Sequence, residues 1–471
     1  MVQPYFCAGE WMDEGEPFDV IAPAGGGVVG TAVRPPDEAV ERAIGGAVRG
    51  FDEMRSMPVH RRAGILRAVA AGIEGERETL AVTIAREIGK PIRSARGEVA
   101  RAALTFTEAA EECSRLYGET IPLGVAPASA GRVGITKLVP VGPVLAITPF
   151  NFPLNLVAHK LAPAVAAGCP VILKPSSEAP LTALLLAKIC EDAGVPEGGL
   201  SVLPIDGNAA GELAGRPEIR KVTFTGSAGV GWRLKMVAWD KRVTLELGGN
   251  AAVVVHGDWP DLEGAADRIV TGGYAYAGQV CISVQRIYVH ESLIESFSGL
   301  LTDRVASLRR GDPLSEETDV GPMISEAEAR RVELWVDEAV SGGARVLTGG
   351  KRDGAFYEPT VMSGVLPGMK VAAEEVFGPV TCIFPYRLFD EAISLVNDSR
   401  FGLQAGVYTK DIDLVRRAFE RIEVGGVIAG DVPTFRVDRM PYGGVKASGA
   451  GREGLRSAIR EMCEERLLVL A

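Results

Sequence analysis

The sequence has few of the residues that would indicate a protein organised by disulfides or metal ions. Its 471 residues include seven cysteines, an odd number, and no two of them form a Cys-x-x-Cys pair. Scattered thiols of this kind fit a reducing compartment and offer no zinc framework. We therefore expect reduced thiols and no metal site. The cysteines are Cys7, Cys113, Cys169, Cys190, Cys281, Cys382 and Cys463.

Basic charge and long apolar runs are also scarce. Lysine and arginine number 50 against 61 aspartates and glutamates, a formal net charge of -11. Without a global basic field, nucleic acids and anionic membrane surfaces are poor partners. The longest apolar stretch, residues 161–173, is too short and too interrupted by Pro and Gly to span a bilayer, and the N-terminus lacks a signal-peptide pattern. We expect a cytoplasmic protein that acts on a small molecule.

What the chain does contain describes a folded, turn-rich protein. Hydrophobic residues make up 47% of it and glycine occurs 57 times, whereas aromatic residues reach only 6%. Such a composition is typical of globular proteins rather than disordered or fibrous ones. A chain of 471 residues exceeds one ordinary core, so two large domains with a small appendage are expected.

The order of helical and strand patterns predicts an α/β fold. Residues 36–117 carry apolar residues at three- and four-residue steps, with Asp37 as a candidate cap, which indicates a helical layer. Between residues 142 and 247, short β-branched runs alternate with helix-length segments, as in parallel βαβ units of a doubly wound sheet. These runs are residues 144–148, 171–174, 201–203, 222–225 and 243–247.

A second alternating pattern begins at residues 251–255 and predicts a second α/β domain. It contains a helix with Ser325 and Glu328 as a capping box and Gly342-Gly343 as its stop. Residues 121–140 and the last dozen residues look like strands that belong to neither sheet.

Two short motifs point to chemistry. Cys281 follows the small residues of Ala-Gly-Gln-Val, which allow a substrate to approach, and Glu246 ends an apolar strand before two glycines. A thiolate adds well to carbonyls, and a carboxylate can activate a water that attacks a thioester. A lone cysteine is more often a small core residue, and a strand-end glutamate is often solvated, so the flanking residues decide between these interpretations.

The flanking residues favour the chemical interpretation. Glu246-Leu-Gly-Gly-Asn250 and Gly278-Gln-Val-Cys281 closely resemble the glutamate and cysteine signatures of the NAD(P)-dependent aldehyde dehydrogenase superfamily, and the segment from Pro441 to Gly454 follows that family's C-terminal pattern. The match extends over most of the chain. The resemblance implies that Cys281 attacks an aldehyde, that hydride passes to a nicotinamide, and that Glu246 activates the water that releases the acid.

The same resemblance implies an architecture. The fold would be α/β and aldehyde dehydrogenase-like: a doubly wound parallel-sheet cofactor domain, a second α/β catalytic domain with the cysteine, and a small β element that pairs with another subunit. A homodimer or homotetramer is implied. The expected divisions are residues 1–120 and 141–247 for the cofactor domain, 248–433 for the catalytic domain, and 121–140 and 458–471 for the oligomerisation element.

Asn151 is the third candidate catalytic residue. It lies in Thr148-Pro-Phe-Asn-Phe-Pro153, between a predicted strand and helix, and an asparagine amide is a neutral donor suited to an oxyanion. Asparagine at a helix start is commonly only a cap. The family often has Trp where Phe150 stands, but the aromatic character is kept. By resemblance, Asn151 and the backbone N–H of Cys281 hold the oxyanion.

The cofactor residues come from the resemblance, because no Gly-x-Gly-x-x-Gly follows the first predicted strand. Phe224-Thr-Gly-Ser leaves a strand and opens a helix whose amides can meet a pyrophosphate. Glu375 would hold the nicotinamide ribose, and Phe377 would pack beside the ring. The full expected set is Thr148, Pro149, Lys174, Ser176, Ser177, Gly226, Ser227, Gly231, Leu247, Glu375 and Phe377.

Ser177 departs from the family pattern in a way that bears on the cofactor. NAD-specific members often carry Glu there, beside the lysine that corresponds to Lys174, and its charge repels a 2'-phosphate. Serine removes that repulsion, so we expect NADP to be accepted as well as NAD, with the preference between them open.

The substrate is the least determined feature. Arg436 and Arg439 precede the Pro-Tyr-Gly-Gly segment and could clamp an anionic or hydroxylated aldehyde, with Arg101 as a weaker candidate; local pairing with Asp438 or exposure to solvent is the alternative. The pattern is most similar to the lactaldehyde, succinate-semialdehyde and non-phosphorylating glyceraldehyde-3-phosphate dehydrogenase branch. Members of the family that use phosphorylated substrates can carry a basic residue just before the cysteine, so by resemblance the apolar Val280 disfavours such substrates.

Two other functions stay open at this point. One is a coenzyme A-acylating aldehyde dehydrogenase, although transfer to a thiol needs no water-activating Glu246. The other is a binding or structural protein that keeps the fold without turnover.

Overall fold

Helices and strands alternate along the chain, as the hydrophobic pattern predicts. The computed structural model describes residues 2–471. No helix in that range is both long and apolar enough to cross a membrane. The α-helices are α1 (Asp37–Ser56), α2 (Val59–Gly75), α3 (Arg77–Ile88), α4 (Ile92–Glu112), α5 (Asn155–Ala167), α6 (Pro180–Asp192), α7 (Gly207–Gly215), α8 (Ala228–Val237), α9 (Leu262–Tyr274), α10 (Ile294–Ala306), α11 (Glu326–Ser341), α12 (Lys370–Ala373), α13 (Phe389–Asn397), α14 (Ile412–Arg421) and α15 (Leu455–Glu461).

The strands are short, and most belong to two large sheets. They are β1 (Val2–Gln3), β2 (Tyr5–Cys7), β3 (Glu10–Met12), β4 (Glu16–Ile21), β5 (Val28–Arg34), β6 (Thr120–Pro122), β7 (Val133–Pro140), β8 (Val144–Ile147), β9 (Val171–Lys174), β10 (Leu200–Val202), β11 (Lys221–Thr225), β12 (Arg242–Glu246), β13 (Ala251–Val255), β14 (Val284–His290), β15 (Arg345–Thr348), β16 (Arg352–Asp353), β17 (Phe356–Tyr357), β18 (Thr360–Ser363), β19 (Val380–Tyr386), β20 (Phe401–Gly402), β21 (Gln404–Tyr408), β22 (Gly426–Ala429), β23 (Val445–Lys446), β24 (Gly449–Ala450) and β25 (Cys463–Leu470).

The first large sheet has the order β24-β12-β11-β8-β9-β10-β2-β3. Strands β8 to β12 run parallel, and each predicted strand lies within one residue of them. From β8 the chain adds β9 and β10 on one side, then places β11 and β12 on the other. The strand order therefore reverses between β8 and β11, and such a reversal opens a crevice at the carboxyl ends of the strands.

Helices α1 to α4 form the predicted helical layer, and their apolar faces share one core with the first sheet. The prediction that Asp37 caps this layer is wrong. Pro36 occupies the N-cap position of α1 without a side-chain cap, and Asp37 lies in the first turn. There its negative charge still complements the partial positive charge of the helix N-terminus.

The second large sheet has the order β15-β18-β19-β14-β13-β21-β22, and every pairing except β15 with β18 is parallel. Successive residues of β13 alternate between two apolar clusters, which explains why residues 251–255 read as one continuous apolar run. Helix α11 begins at the predicted cap, where Ser325 Oγ accepts the backbone N–H of Glu328 at 3.2 Å. The Glu328 side chain pairs with Arg331 instead, so only half of the capping box forms.

A small antiparallel sheet, β25-β7-β6, lies apart from the two large ones. Strand β25 pairs with β7 over its whole length, from Cys463 opposite Pro140 to Leu470 opposite Val133. Leu467 and Leu468 remain 57% and 56% exposed on it. Strands β25 and β7 are thus hydrogen-bonded to each other, and apolar side chains of β25 remain uncovered.

Candidate active site

A cavity of about 830 Å³ lies against the carboxyl ends of β8, β11 and β12, at the point where the strand order reverses. Segments that follow these strands form one wall, and the loop before β14 forms another. Most of the residues expected from the sequence meet there. Those that line the cavity are Arg101, Pro149, Asn151, Gly226, Ser227, Glu246, Leu247, Cys281, Glu375, Phe377 and Arg436.

Six expected residues do not line this cavity: Thr148, Lys174, Ser176, Ser177, Gly231 and Arg439. Thr148 is buried behind the wall, and its backbone N–H donates to the Lys174 carbonyl at 3.2 Å. Gly231 lies within α8, where an added Cβ would be 2.4 Å from a methyl carbon of Leu247. Glycine there permits close packing of α8 against the segment after β12.

The loop that carries Cys281 is held in an unusual backbone conformation. Tyr276 and Ala277 have φ angles of 49° and 52°, in the left-handed region that side chains other than glycine rarely adopt. Each such residue costs about 1–3 kcal/mol unless its surroundings enforce it. The Tyr276 hydroxyl donates to the last carbonyl of α3 at 2.9 Å, and the buried Gln279 side chain accepts from Ile324 N–H at 2.8 Å. These bonds fix the approach to Cys281.

Cys281 is the one cysteine of the seven that is not fully buried. Its Sγ lies 3.1 Å from the hydroxyl oxygen of Tyr442. Burial of the thiol raises the pKa of Cys281 to about 11, while the Tyr442 hydrogen bond and the Arg436 charge oppose that rise. The sequence assigned no role to Tyr442.

The two glycines after Glu246 allow three chain segments to meet. A Cβ on Gly249 would lie 2.2 Å from the carbonyl oxygen of Cys281, and a Cβ on Gly248 would lie 2.1 Å from a carboxylate oxygen of Glu375. Gly249 N–H also donates to Glu375 at 2.9 Å. Any larger residue would push the Cys281 loop away from β12.

Glu246 is 3% exposed, and neither of its carboxylate oxygens has a hydrogen-bond partner among residues 2–471. Burial, and then the negative charge of Glu453, raise the pKa of Glu246 well above its usual value. A carboxylate with a raised pKa is a stronger base, which suits proton transfer near neutral pH.

A buried charge cluster stands behind Glu246, and the sequence analysis did not find it. Lys160 Nζ donates to Thr225 Oγ1 at 2.7 Å and to Glu453 at 2.9 Å. Lys160 lies on α5, every residue of which is buried. The sequence signal that could have revealed this cluster is a lysine in a largely apolar helix, because a buried cation needs a partner.

His159 links the cluster to the cavity. Its Nδ1 accepts from the Arg436 guanidinium at 2.7 Å, and its Nε2 lies 2.8 Å from Asp438 Oδ1. Arginine is only a donor, so the second ring nitrogen is the one that donates to Asp438. His159 is thus a core residue whose two ring nitrogens both have partners, which its sequence neighbours do not reveal.

Asn151 lies on the loop after β8 and faces the Cys281 loop. Its Nδ2 donates to the Gln279 carbonyl at 2.9 Å, and its Oδ1 has no hydrogen-bond partner among the described residues. The amide nitrogen carries two hydrogens, so one donor remains for another acceptor.

The region expected to bind the cofactor has suitable groups. Ser227 is the N-cap of α8 but makes no side-chain cap, so the first N–H groups of that helix are free for an anion. Burial raises the pKa of Glu375 to about 7. The Phe377 ring meets Phe150 edge-on at 6.0 Å between centroids.

Comparison with known proteins accounts for this arrangement. The profile of the aldehyde dehydrogenase family matches residues 11–468. The chain belongs to the aldehyde dehydrogenase family. It is therefore an oxidoreductase that uses NAD(P) to oxidise aldehydes, and the predicted family and fold are confirmed.

Individual relatives are similar over nearly their whole length. The chain is 50% identical over 412 residues to the 3-sulfolactaldehyde dehydrogenase of Priestia aryabhattai, covering 87% of this chain and 86% of that one. Aldehyde dehydrogenase 21 from Physcomitrella patens, in complex with the reaction product succinate, has a TM-score of 0.98 at 42% identity, over 100% and 98% of the chains. GapN, the glyceraldehyde-3-phosphate dehydrogenase of Methanocaldococcus jannaschii, complexed with NADP, has a TM-score of 0.93 at 38% identity, over 98% and 100%.

In this aldehyde dehydrogenase the segment after β9 has a serine at position 177, as expected, but a carboxylate follows at Glu178. Ser177 is exposed, whereas Ser176 is buried and donates to the Glu178 carboxylate. Burial lowers the pKa of Lys174, with Glu178 and Asp206 opposing that shift. The carboxylate of this segment is therefore that of Glu178, which follows Ser177 in the sequence and accepts the hydrogen bond from Ser176.

The three candidate arginines have different surroundings. Arg436 is buried and lines the cavity, whereas Arg439 is exposed and pairs with Glu108 and Glu111 outside it. Arg101 lines the cavity but is paired with Asp438 at 2.7 Å. Arg436 Nε has no hydrogen-bond partner among residues 2–471.

Proposed function

We propose that the enzyme oxidises a small aldehyde with an anionic or hydroxylated end to the carboxylic acid, through a thioester on Cys281. The observation that carries the proposal is that the Cys281 thiol and the unpartnered carboxylate of Glu246 line the same cavity. In this scheme Cys281 attacks the aldehyde carbon, and Glu246 later takes a proton from the water that hydrolyses the thioester.

The oxyanion is held by two donors in this proposal. The free N–H of Asn151 Nδ2 and the backbone N–H of Cys281 would stabilise the negative oxygen that forms when the carbonyl is attacked. Donors fixed by the protein before reaction need no reorganisation, which is why such sites accelerate acyl chemistry.

The chain's residues fit a nicotinamide dinucleotide. Free N–H groups at the start of α8 suit the pyrophosphate, the buried carboxyl of Glu375 suits a ribose hydroxyl, and Phe377 suits a flat ring. When bound, the cofactor supplies the acceptor for the aldehyde's hydride. Pro149, Gly226, Ser227 and Leu247 would form the walls of this site, and Thr148 would support them from behind. Gly231 would act through packing.

We propose that NADP is used and NAD is tolerated. Lys174 is a half-buried cation, and the exposed Ser177 three residues later brings no negative charge of its own against a 2'-phosphate. The NADP complex of the similar Methanocaldococcus jannaschii enzyme supports this assignment.

Arg436 is the group we assign to the anionic end of the aldehyde. Its guanidinium is buried in the cavity wall, and its Nε still has a free hydrogen. The guanidinium also pairs with Glu453 at 3.3 Å, so the hydrogen left on Nε is the group that would donate a charge-assisted bond to an anion, at a place where little water screens the charge. The names of two similar proteins, a 3-sulfolactaldehyde dehydrogenase and an enzyme with succinate bound, support an anionic substrate. Lactaldehyde, succinate semialdehyde and 3-sulfolactaldehyde are therefore the first candidates.

The test is a panel of aldehydes assayed by absorbance of the reduced nicotinamide, with NAD or NADP, and with or without coenzyme A. We expect lactaldehyde, succinate semialdehyde and 3-sulfolactaldehyde to exceed a neutral long-chain aldehyde in kcat/KM, without a need for coenzyme A. Strict dependence on coenzyme A would indicate the acylating alternative. No turnover with any aldehyde would indicate a catalytically silent protein.

The Arg436→Ala variant tests the substrate clamp. KM for succinate semialdehyde should rise about tenfold or more, because a charge-assisted hydrogen bond contributes about 1.5–3 kcal/mol, while KM for butanal should change little. Arg439→Ala is the matched control, since Arg439 lies outside the cavity. An equal rise in KM for the charged and the neutral aldehyde would reject the clamp.

We also propose that the cofactor domain comprises residues 1–120 and 141–247, the catalytic domain residues 248–433, and the oligomerisation element residues 121–140 and 458–471. The protein would form a homo-oligomer through the edge of the β25-β7-β6 sheet. The uncovered Leu467 and Leu468 support a subunit contact there, because exposed apolar side chains gain free energy when another surface covers them. Light scattering on a size-exclusion column would distinguish monomer, dimer and tetramer.

The seven free thiols support our expectation that the enzyme works in the reducing cytoplasm.

A further inference from the structure

The hydroxyl of Tyr442 has one hydrogen-bond contact among the described residues, and that contact is the candidate nucleophile. Its Oη lies 3.1 Å from Cys281 Sγ. The Tyr442 side chain is 3% exposed and packs with Ile282 and Leu403. Its backbone pairs with Glu453 N–H and C=O, which joins it to the buried charge cluster. The hydroxyl is therefore aimed at the sulfur by packing on several sides.

The face of the Tyr442 ring carries a cation. The guanidinium carbon of Arg436 lies 3.6 Å from the ring centroid, close enough for a cation–π contact. A cation on the ring withdraws electron density from the phenol and makes its O–H a better donor. Burial and the neighbouring Cys281 raise the pKa of Tyr442 well above its usual value, so the hydroxyl keeps its proton.

We infer that Tyr442 is a further catalytic residue, whose hydroxyl donates a hydrogen bond to the Cys281 thiolate and keeps Sγ directed into the cavity. The inference deepens the proposed function and rests on it. The need for such a donor is physical: burial disfavours a charged sulfur, and the neighbouring carboxylates Glu246 and Glu375 disfavour it further.

The step that follows starts from the thiolate, whose proton has already passed to solvent, and it conserves atoms and charge without a proton from tyrosine. The thiolate sulfur bonds to the aldehyde carbon, the carbonyl π bond breaks, and its electron pair moves to oxygen, where Asn151 and a backbone N–H receive it. The sulfur becomes a neutral thioether, so its hydrogen bond from Tyr442 weakens as the C–S bond forms. Tyr442 thus acts on the state before attack by setting how much thiolate is present and where it points.

The test compares Tyr442→Phe with the unmodified enzyme and with Tyr408→Phe. Tyr408 is also a buried tyrosine, but its hydroxyl has no partner among residues 2–471 and it does not line the cavity. The rate of Cys281 alkylation by iodoacetamide is followed against pH by mass spectrometry of the cysteine peptide. Phenylalanine fills nearly the same volume, and thermal unfolding of both variants checks that the fold survives.

We expect the alkylation midpoint of Tyr442→Phe to move up by about one pH unit or more, because a hydrogen bond to a charged group contributes about 1.5–3 kcal/mol. The kcat should fall about tenfold for every aldehyde. Tyr408→Phe should match the unmodified enzyme. An unchanged alkylation profile would overturn the inference, and so would a loss confined to hydroxylated aldehydes. If Cys281→Ser stays active, the proposed function itself fails, which separates the two outcomes.

Discussion

Glu246→Gln should separate the two halves of the reaction. Glutamine keeps the shape of the side chain but cannot accept a proton, and the structure offers no substitute that contacts Glu246, since both its oxygens are unpartnered among residues 2–471. Removing a general base typically costs about 10²–10⁴-fold in rate. The whole of that loss should fall on thioester hydrolysis, because the attack by Cys281 does not use Glu246.

The assay is rapid mixing of enzyme, cofactor and aldehyde. Glu246→Gln should give a burst of reduced nicotinamide close to one equivalent per active site, followed by turnover reduced about 10²–10⁴-fold. Acid quench and mass spectrometry should then detect an acyl adduct on Cys281. Glu87→Gln is the matched control, because Glu87 is also a fully buried carboxyl with a raised pKa but does not line the cavity.

Two results would refute this reasoning. Steady turnover of Glu246→Gln with no adduct would mean that another group activates the water. Loss of the burst itself would mean that Glu246 acts before the thioester forms, as a base for the Cys281 thiol. A similar loss in Glu87→Gln would point to general damage rather than chemistry.

Three further substitutions test other parts of the site. Cys281→Ser should lower aldehyde oxidation by several orders of magnitude while a fluorescence titration still detects cofactor binding, because an alcohol is seldom ionised at neutral pH; near-normal turnover would remove the covalent mechanism. Ser177→Glu should shift the ratio of kcat/KM values from NADP toward NAD through repulsion of the 2'-phosphate, and an unchanged ratio would contradict the assigned geometry. Gly249→Ala should reduce kcat about 100-fold by displacing the Cys281 backbone, whereas Gly27→Ala, where space is open, should not. Equal activity of these two glycine variants would reject the steric explanation.

The parts of the structure that local sequence determines were predictable. Five parallel strands of the first sheet lie within one residue of the predicted runs, because β-branched runs bounded by helix-length segments leave few alternatives. The meeting of the Glu246 and Cys281 segments could be expected from their glycines and from the family resemblance. The cap at Asp37 could not be settled, since Pro36 and Asp37 compete for the same helix start.

The surroundings of the site depend on contacts between distant parts of the chain. Tyr442 reaches Cys281 from 161 residues away, and Glu453 reaches Lys160 from 293 residues away. No local pattern encodes which of 61 acidic residues meets a given lysine. The same limit explains why Arg436 and Arg439 looked equivalent in sequence, although one lines the cavity and the other pairs at the surface.

The buried carboxylates Glu246 and Glu453 show why partners, rather than residue type, assign chemical roles. Burial disfavours the charge of Glu453, but Lys160 at 2.9 Å and Arg436 at 3.3 Å outweigh that penalty and hold its pKa below the usual range. Glu246 has no such partner, and its pKa rises because of burial and the fixed charge of Glu453. Carboxyls whose pKa values are driven apart in this way mark the group that exchanges protons and the group that stays ionised. Because only ionised Glu246 can accept a proton from water, thioester hydrolysis should accelerate as the pH rises through the pKa of Glu246, while Glu453 remains charged throughout.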